Sequence, residues 1–290
     1  MENQSSDGIK CTERTLPMNN GKIIPLIGIG TSGVKQQEEM DNVIRFALEA
    51  GYRMIDSAIA YKNEHLIGNS LEKLQIPRSS FFIVTKIPSN DVNEENAKSL
   101  ILESLKNFKT DYLDLVLLHW PGFKNVEERL AVWKELESLV KEEKILSIGV
   151  SNFLPLHLKT ILDNCEIKPT VNQFELHPLF IDKETIEFCR VNEIVVQAYS
   201  GFAKFDEKLI QSPVLVQMAE KYDKKPTQVL MRWFVQNSFI TIPKSTKRER
   251  IFENIDIDDF NLSQSDIQAL FSLNCNYKVI SKWNPITVTF

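Results

Sequence analysis

The chain has 290 residues, with 34 Lys plus Arg against 39 Asp plus Glu, and so carries a formal charge of −5 when its four histidines are neutral. A hydrophobic share of 43% and a charged share of 25% are those of a soluble globular protein, which disfavours disorder, collagen and coiled coil. The mild acidity argues against a dedicated nucleic-acid binder, which needs a basic footprint to displace counterions from phosphate, and the length allows either two ordinary domains or one α/β barrel.

The opening MENQSSDGIK lacks the positive start and apolar run of a signal peptide, and no later stretch approaches about 18 uncharged apolar residues. Neither secretion nor a membrane partner is expected. Cys11, Cys165, Cys189 and Cys275 are scattered with no CxxC pair, which fits free thiols in a reducing cytoplasm. Residues 1–13 are expected to form a flexible extension. TLPMNNGKIIPL then reads as two short strands around Asn20-Gly21, a hairpin suited to plugging the bottom of a barrel.

From there short apolar runs alternate with amphipathic ones. IPLIGIG (24–30), YRMID (52–56), FFIVTK (81–86), LDLVLLH (113–119), LSIGVS (146–151), TVNQFE (170–175), IVVQAYS (194–200) and FITIP (239–243) are each followed by a helical pattern. Near-continuous apolar strands with crossover helices imply a parallel sheet covered by helices. Eight such units favour an α/β fold of the closed (β/α)8 TIM barrel type over an open doubly wound sheet. No linker or shift in composition divides residues 1–290, so one domain is expected.

Gly28, Gly30 and Gly33 also spell GxGxxG after a strand, with Asp56 at the distance of a ribose-binding acid. Against a Rossmann fold, Val34-Lys35-Gln36-Gln37-Glu38 is too polar to be the opening turn of the helix. The glycines read better as a tight loop at a strand end.

In a parallel barrel the active site lies at the carboxyl ends of the strands. Asp56 ends the second run, Lys86 the third and His119 the fourth; Ser151 and Asn152 follow the fifth, Gln173 and Glu175 lie at the sixth, Tyr199 at the seventh and Lys244 just past the eighth. Singly each has an ordinary role, a snorkelling lysine, a core histidine or an aspartate cap. Together with nearby Tyr61 they make an acid, a base and a cation on one rim, as carbonyl reduction requires. A tyrosine ionises near pH 10, too high for efficient acid–base work, but an ammonium held by Asp56 would lower it.

GYRMIDSAIAYKNEHLIG resembles the signature of the aldo-keto reductases, and LDLVLLHWP, IGVSNF, VNQFELHP and IPKSTKRERIFEN resemble their other motifs in the same order. The resemblance implies a (β/α)8 barrel that binds NADPH (NADP+) across its mouth and reduces small-molecule carbonyls, an NADP-dependent aldehyde reductase. It implies Tyr61 as proton donor, Asp56 and Lys86 as its tuners, and His119 as the group that orients the carbonyl. On the cofactor, it implies contacts from Gly30, Thr31, Ser32 and Asp56, the carboxamide on Ser151, Asn152 and Gln173, and the ring on Tyr199 beside Ser200. Lys244, Ser245 and Arg250 would take the 2′-phosphate, and Glu253 and Asn254 the adenine.

The chain departs from the family pattern where Gly201-Phe202-Ala203 replaces Pro-Leu-Gly, and Ser32 stands where many mammalian members have a pocket tryptophan. Short segments after the fourth strand and after Trp283 leave an open site with Trp120 as one aromatic wall. Such short-loop members resemble reductases of glyoxals, sugars, ketoacids and prostaglandin endoperoxide. A metal site is not expected, since His65, His119, His157 and His177 show no HxH or HExxH spacing. The alternative is a non-catalytic NADP(H)-binding role on the same fold. With no exposed heptad or interface stripe, a monomer is expected.

Overall fold

A computed structural model describes residues 10, 13–90, 92–281 and 284–290. Most of the expected N-terminal extension, with Cys11, and also Trp283, lie outside the described residues. The hairpin is present: β1 (Thr15–Pro17) pairs antiparallel with β2 (Ile23–Pro25), and Gly21 takes a φ of +79° in the turn. Asn19 Nδ2 donates to the Pro169 carbonyl at 2.9 Å and Asn20 Nδ2 to Ser147 Oγ at 2.9 Å. Both acceptors precede barrel strands, so the hairpin covers the amino end of the barrel, opposite the face where the site forms.

Eight parallel strands follow: β3 (Ile29–Gly30), β4 (Met54–Asp56), β5 (Phe82–Ile87), β6 (Leu115–Leu118), β7 (Ile148–Ser151), β8 (Val171–Glu175), β9 (Val195–Tyr199) and β10 (Ile240–Thr241). Each pairs with the next in chain order. The ring closes where Thr241 N donates to the Leu26 carbonyl and Gly28 N to that of Thr241, both at 3.0 Å, with Gly30 N on Pro243 at 3.1 Å. The architecture is the (β/α)8 barrel. IPLIGIG is not one strand, however. Pro25 still belongs to the hairpin, and Leu26 N donates to the Arg14 carbonyl while its own carbonyl already serves Thr241, so the chain changes partners there.

The polar stretch after β3 behaves as its composition demands. Helix α1 (Gln37–Ala50) begins only after Thr31–Gln36, which removes the Rossmann geometry. Gly33 sits in a turn at φ +82°. Gly30 serves a different need: a Cβ there would lie 2.9 Å from the Ile242 carbonyl oxygen, so only glycine lets the two ends of the ring meet.

The helices α2 (Glu64–Lys73), α3 (Glu94–Phe108), α4 (Val126–Lys141), α5 (Pro155–Leu162) and α6 (Lys183–Val191) wrap the outside. Three more, α7 (Glu207–Ile210), α8 (Pro213–Tyr222) and α9 (Pro226–Gln236), precede β10, and α10 (Arg248–Glu253) and α11 (Gln264–Phe271) follow it. All four residues of β6 are fully buried. At roughly 1.5–3 kcal/mol per buried aliphatic side chain, burial on both faces rather than strand propensity holds such a short strand.

Helices α2 and α3 approach through Gly68, whose added Cβ would lie 2.1 Å from the Asn107 carbonyl oxygen. Gly68→Ala is therefore expected to cost about 1–3 kcal/mol, measured as a shift in the urea midpoint, because backbone cannot yield as a side-chain tip can. Among the described residues, no helix is long and apolar enough to cross a membrane.

Candidate active site

The carboxyl ends of the strands open into a cavity of about 670 Å³. Its floor and walls include Asp56 from the end of β4, Ser151 from β7, Gln173 from β8 and Tyr199 from β9, with His119 after β6. Tyr61 reaches it from a 3-10 turn at Ile59–Tyr61. Most of the expected rim residues therefore meet, because parallel strands of similar register bring their ends to one height; Glu175 does not line this cavity.

Lys86, on β5, lies beneath the cavity and is wholly buried. Its Nζ sits 2.6 Å from Asp56 Oδ1 and donates to the Ser57 carbonyl at 2.7 Å. Burial alone would drive the amine towards neutrality, but the Asp56 carboxylate and the Tyr61 phenol outweigh it and hold the ammonium above its ordinary range. Asp56 is itself held from the other side, since Gln173 Nε2 donates to its Oδ2 at 2.8 Å. The result is a charge pair with fixed geometry, at a depth where an unpaired charge would cost several kcal/mol.

The Tyr61 turn is anchored from below. Lys62 takes a left-handed φ of +55°, and the buried Asn63 donates to the Thr31 and Val34 carbonyls at 2.9 and 3.1 Å while accepting from Ser57 Oγ at 2.9 Å. The Tyr61 ring centroid lies 5.2 Å from Lys86 Nζ and 6.0 Å from the His119 ring, edge to face at 77°. Burial raises the phenol above its ordinary value; Lys86 and Ser32 pull it down, Asp56 adds to the rise, and the net direction is up. Lys86 does lower the phenol as expected, but desolvation outweighs the neighbouring charge. Tyr61 is consequently protonated at neutral pH, with an ammonium beside it. Burial, helped by the Lys86 charge, pushes His119 down to about 3, so its imidazole is neutral.

A second set of groups lies on the same cavity. Asn152, at φ +65°, accepts from the Tyr199 hydroxyl at 2.7 Å and donates to the His119 carbonyl at 3.1 Å and to Ser151 Oγ at 3.0 Å. These bonds lock the Tyr199 ring as a flat wall next to the amides of Asn152 and Gln173. With its nitrogen on Asp56, Gln173 has its amide oxygen left to accept. Gly30, Ser32, Ser200 and Lys244 also line the cavity. Thr31 does not; it is buried, with its hydroxyl on the Asp56 carbonyl at 2.9 Å.

A neighbouring hollow of about 550 Å³ is lined by Lys247, Arg250 and Glu253. Lys225 is ion-paired to Glu253 across it. Phe205 lines both spaces. The Ala203, Lys204 and Phe205 backbones all have left-handed φ, at +47°, +53° and +61°. That run is the shape taken by the loop in which Gly201-Phe202-Ala203 departs from the family pattern. Ser245 is buried with its Oγ accepting from Lys247 N at 3.1 Å, and Asn254 is buried at the end of α10; neither lines the hollow. Trp120 is half-buried beside Gly122 and is not among the cavity's lining residues.

Reasoning from strand ends misses Lys204, Phe205 and Ile280, which also line the cavity, and Asn63, which supports it. Asn63 lies within the quoted motif, two residues after Tyr61, and that position is its signal. Ile280, in the segment after α11, had none.

The sequence model of the Aldo/keto reductase family matches residues 26–274. The chain is 39% identical over 265 residues to glyoxal reductase of Bacillus subtilis, covering 91% of this chain and 94% of that protein. It is 37% identical over 267 residues to the 9,11-endoperoxide prostaglandin H2 reductase of Trypanosoma cruzi, covering 92% and 93%. Among solved structures, the Bombyx mori aldo-keto reductase in complex with NADP is similar with a TM-score of 0.83 and 30% identity, over 93% of this chain and 95% of that chain.

Proposed function

The chain belongs to the aldo/keto reductase family and is an oxidoreductase, and on that premise we propose that it is an NADPH-dependent reductase of small aldehydes of the glyoxal type, with Tyr61 as general acid. The observation that carries the proposal is the buried Lys86–Asp56 pair at 2.6 Å beside Tyr61 and the neutral His119, at the floor of an open cavity. We read the protein as a cytoplasmic monomer, with Cys165, Cys189 and Cys275 free as thiols. The glyoxal class is supported by the similarity to glyoxal reductase.

The bound nicotinamide would supply a hydride to the carbonyl carbon. The chain's own groups do the rest. Neutral His119 donates a hydrogen bond to the carbonyl oxygen and orients it without competing for the proton. Tyr61 then gives its proton to that oxygen as negative charge develops there. Lys86, positioned by Asp56, stabilises the phenolate left behind, in a low-dielectric pocket where such an interaction is stronger than in water.

The residues suit a nicotinamide dinucleotide. Tyr199 offers a ring face, Ser151, Asn152 and Gln173 would hold the carboxamide, and Gly30, Ser32 and Ser200 would border the ring and its ribose. Lys244 and Arg250 would bind the 2′-phosphate, with Glu253 at the adenine. Lys244→Ala combined with Arg250→Ala is expected to raise the NADPH dissociation constant about 100-fold, through two lost charge-assisted contacts, and that of NADH less than about threefold. Isothermal titration of both cofactors checks this, and equal losses would remove the 2′-phosphate role.

The deciding experiment follows NADPH consumption with methylglyoxal, aromatic aldehydes, aldoses and ketosteroids, with NADH in parallel. Turnover of the glyoxals with NADPH is expected. Tight NADPH binding without turnover of any carbonyl would overturn the proposal.

A further inference from the structure

Glu175 stands at the end of β8, two residues beyond Gln173, and the proposed chemistry does not use it. It is almost wholly buried, at 1% exposure. Its Oε1 accepts from Val279 N at 2.6 Å and lies 3.1 Å from His177 Nε2, and its Oε2 accepts from Ile280 N at 3.2 Å. Two successive backbone N–H groups facing one carboxylate form a small anion nest, with the charge supplied by the barrel and the nest by the incoming chain. Side-chain and backbone bonds zip the preceding residues to the segment after β8. Asn274 exchanges hydrogen bonds with the backbone of Ile181 at 3.1 and 3.0 Å, and Tyr277 N donates to the Leu179 carbonyl at 3.0 Å. Ile280 itself lines the catalytic cavity.

One strand therefore does two things. Through Gln173 it contacts the Asp56–Lys86 pair, and through Glu175 it holds the segment after α11 in place over the mouth. We infer that Glu175 is a positioning residue for substrate: by clamping the amides of Val279 and Ile280 it sets the Ile280 side chain as an apolar wall of the site, and so tunes how strongly aldehydes with bulky apolar groups bind. A three-carbon dicarbonyl is too small to need that wall, whereas an aromatic aldehyde gains contact area from it. The inference rests on the reductase reading for its substrates but not for its geometry.

Two readouts test it. Glu175→Ala is expected to abolish the hydrogen-exchange protection of the Val279 and Ile280 amides. It is also expected to raise KM for benzaldehyde about 10-fold relative to methylglyoxal, through binding rather than kcat. Glu175→Gln keeps one acceptor oxygen but sets an NH2 group against an N–H donor, so a smaller change of the same sign is expected; it is read instead if the alanine variant does not fold. Ile280→Ala should reproduce the KM split. Retained amide protection in both Glu175 variants, or equal losses for the two aldehydes, would overturn the inference. If the wild type reduces neither aldehyde, the reductase reading fails, while hydrogen exchange still decides whether Glu175 clamps the segment.

Discussion

Tyr61→Phe is expected to lower kcat by about a thousandfold, the scale of a lost general acid, while leaving the NADPH dissociation constant within about twofold of the wild type. The phenol ring remains to pack against His119, so only the hydroxyl is removed. Because the phenol sits above its ordinary ionisation range, the wild-type donor is fully protonated at neutral pH and the variant loses a proton that is always available. Steady-state kinetics with methylglyoxal, with titration calorimetry for the cofactor, checks both parts. Wild-type-like turnover would reassign the proton donor, and a large loss of cofactor affinity would mean that the ring, not the acid, had been disturbed.

Asp56→Asn is the second large effect, and it appears in stability as well as in rate. Lys86 is wholly buried with Asp56 as its ion-pair partner, so the substitution leaves an ammonium in the interior facing an amide. Breaking a buried pair from one side typically costs about 3–5 kcal/mol. A loss near the lower figure is expected here, because the Ser57 carbonyl still accepts from Nζ. An asparagine keeps one acceptor oxygen where Lys86 and Gln173 each had one, and it removes the charge that holds the Lys86 ammonium, so turnover should fall with it. Urea unfolding of Asp56→Asn and of Asp56→Asn with Lys86→Met separates the two roles. The double variant should recover most of the stability and none of the turnover. If the single variant is as stable as the wild type, the pair is not a buried charge couple.

Asp56, Lys86 and His119 are legible in the sequence for a physical reason: in a barrel of parallel strands, a polar residue closing an apolar run has only the mouth to face. Tyr61 is legible through its motif and its place one turn beyond Asp56. The ring closure is half legible. The number of units announces a barrel, but Pro25 and Leu26 change partners from hairpin to ring within an unbroken apolar run, and periodicity gives no sign of it. The bond from Gln173 to Asp56 joins residues 117 apart in the chain, and Ile280 reaches the cavity from the segment after the last helix. Such contacts depend on how the ends of the ring are wrapped, which local pattern does not encode. The direction of the Tyr61 shift is hidden for another reason. A neighbouring lysine can be read from spacing, but the competing desolvation is a property of the assembled pocket.

The seam of the barrel has a consequence for how the molecule comes into being. Its first and last strands are two residues each, and they meet through hydrogen bonds between residues 26–30 and 241–243. During synthesis, Asp56, Lys86, His119 and Gln173 all leave the ribosome before the segment that completes the circle. Until it arrives, β3 presents an unpaired edge, the kind of exposed strand that recruits wrong partners. Completing the circle thus depends on a contact between distant parts of the chain, the class that forms most slowly.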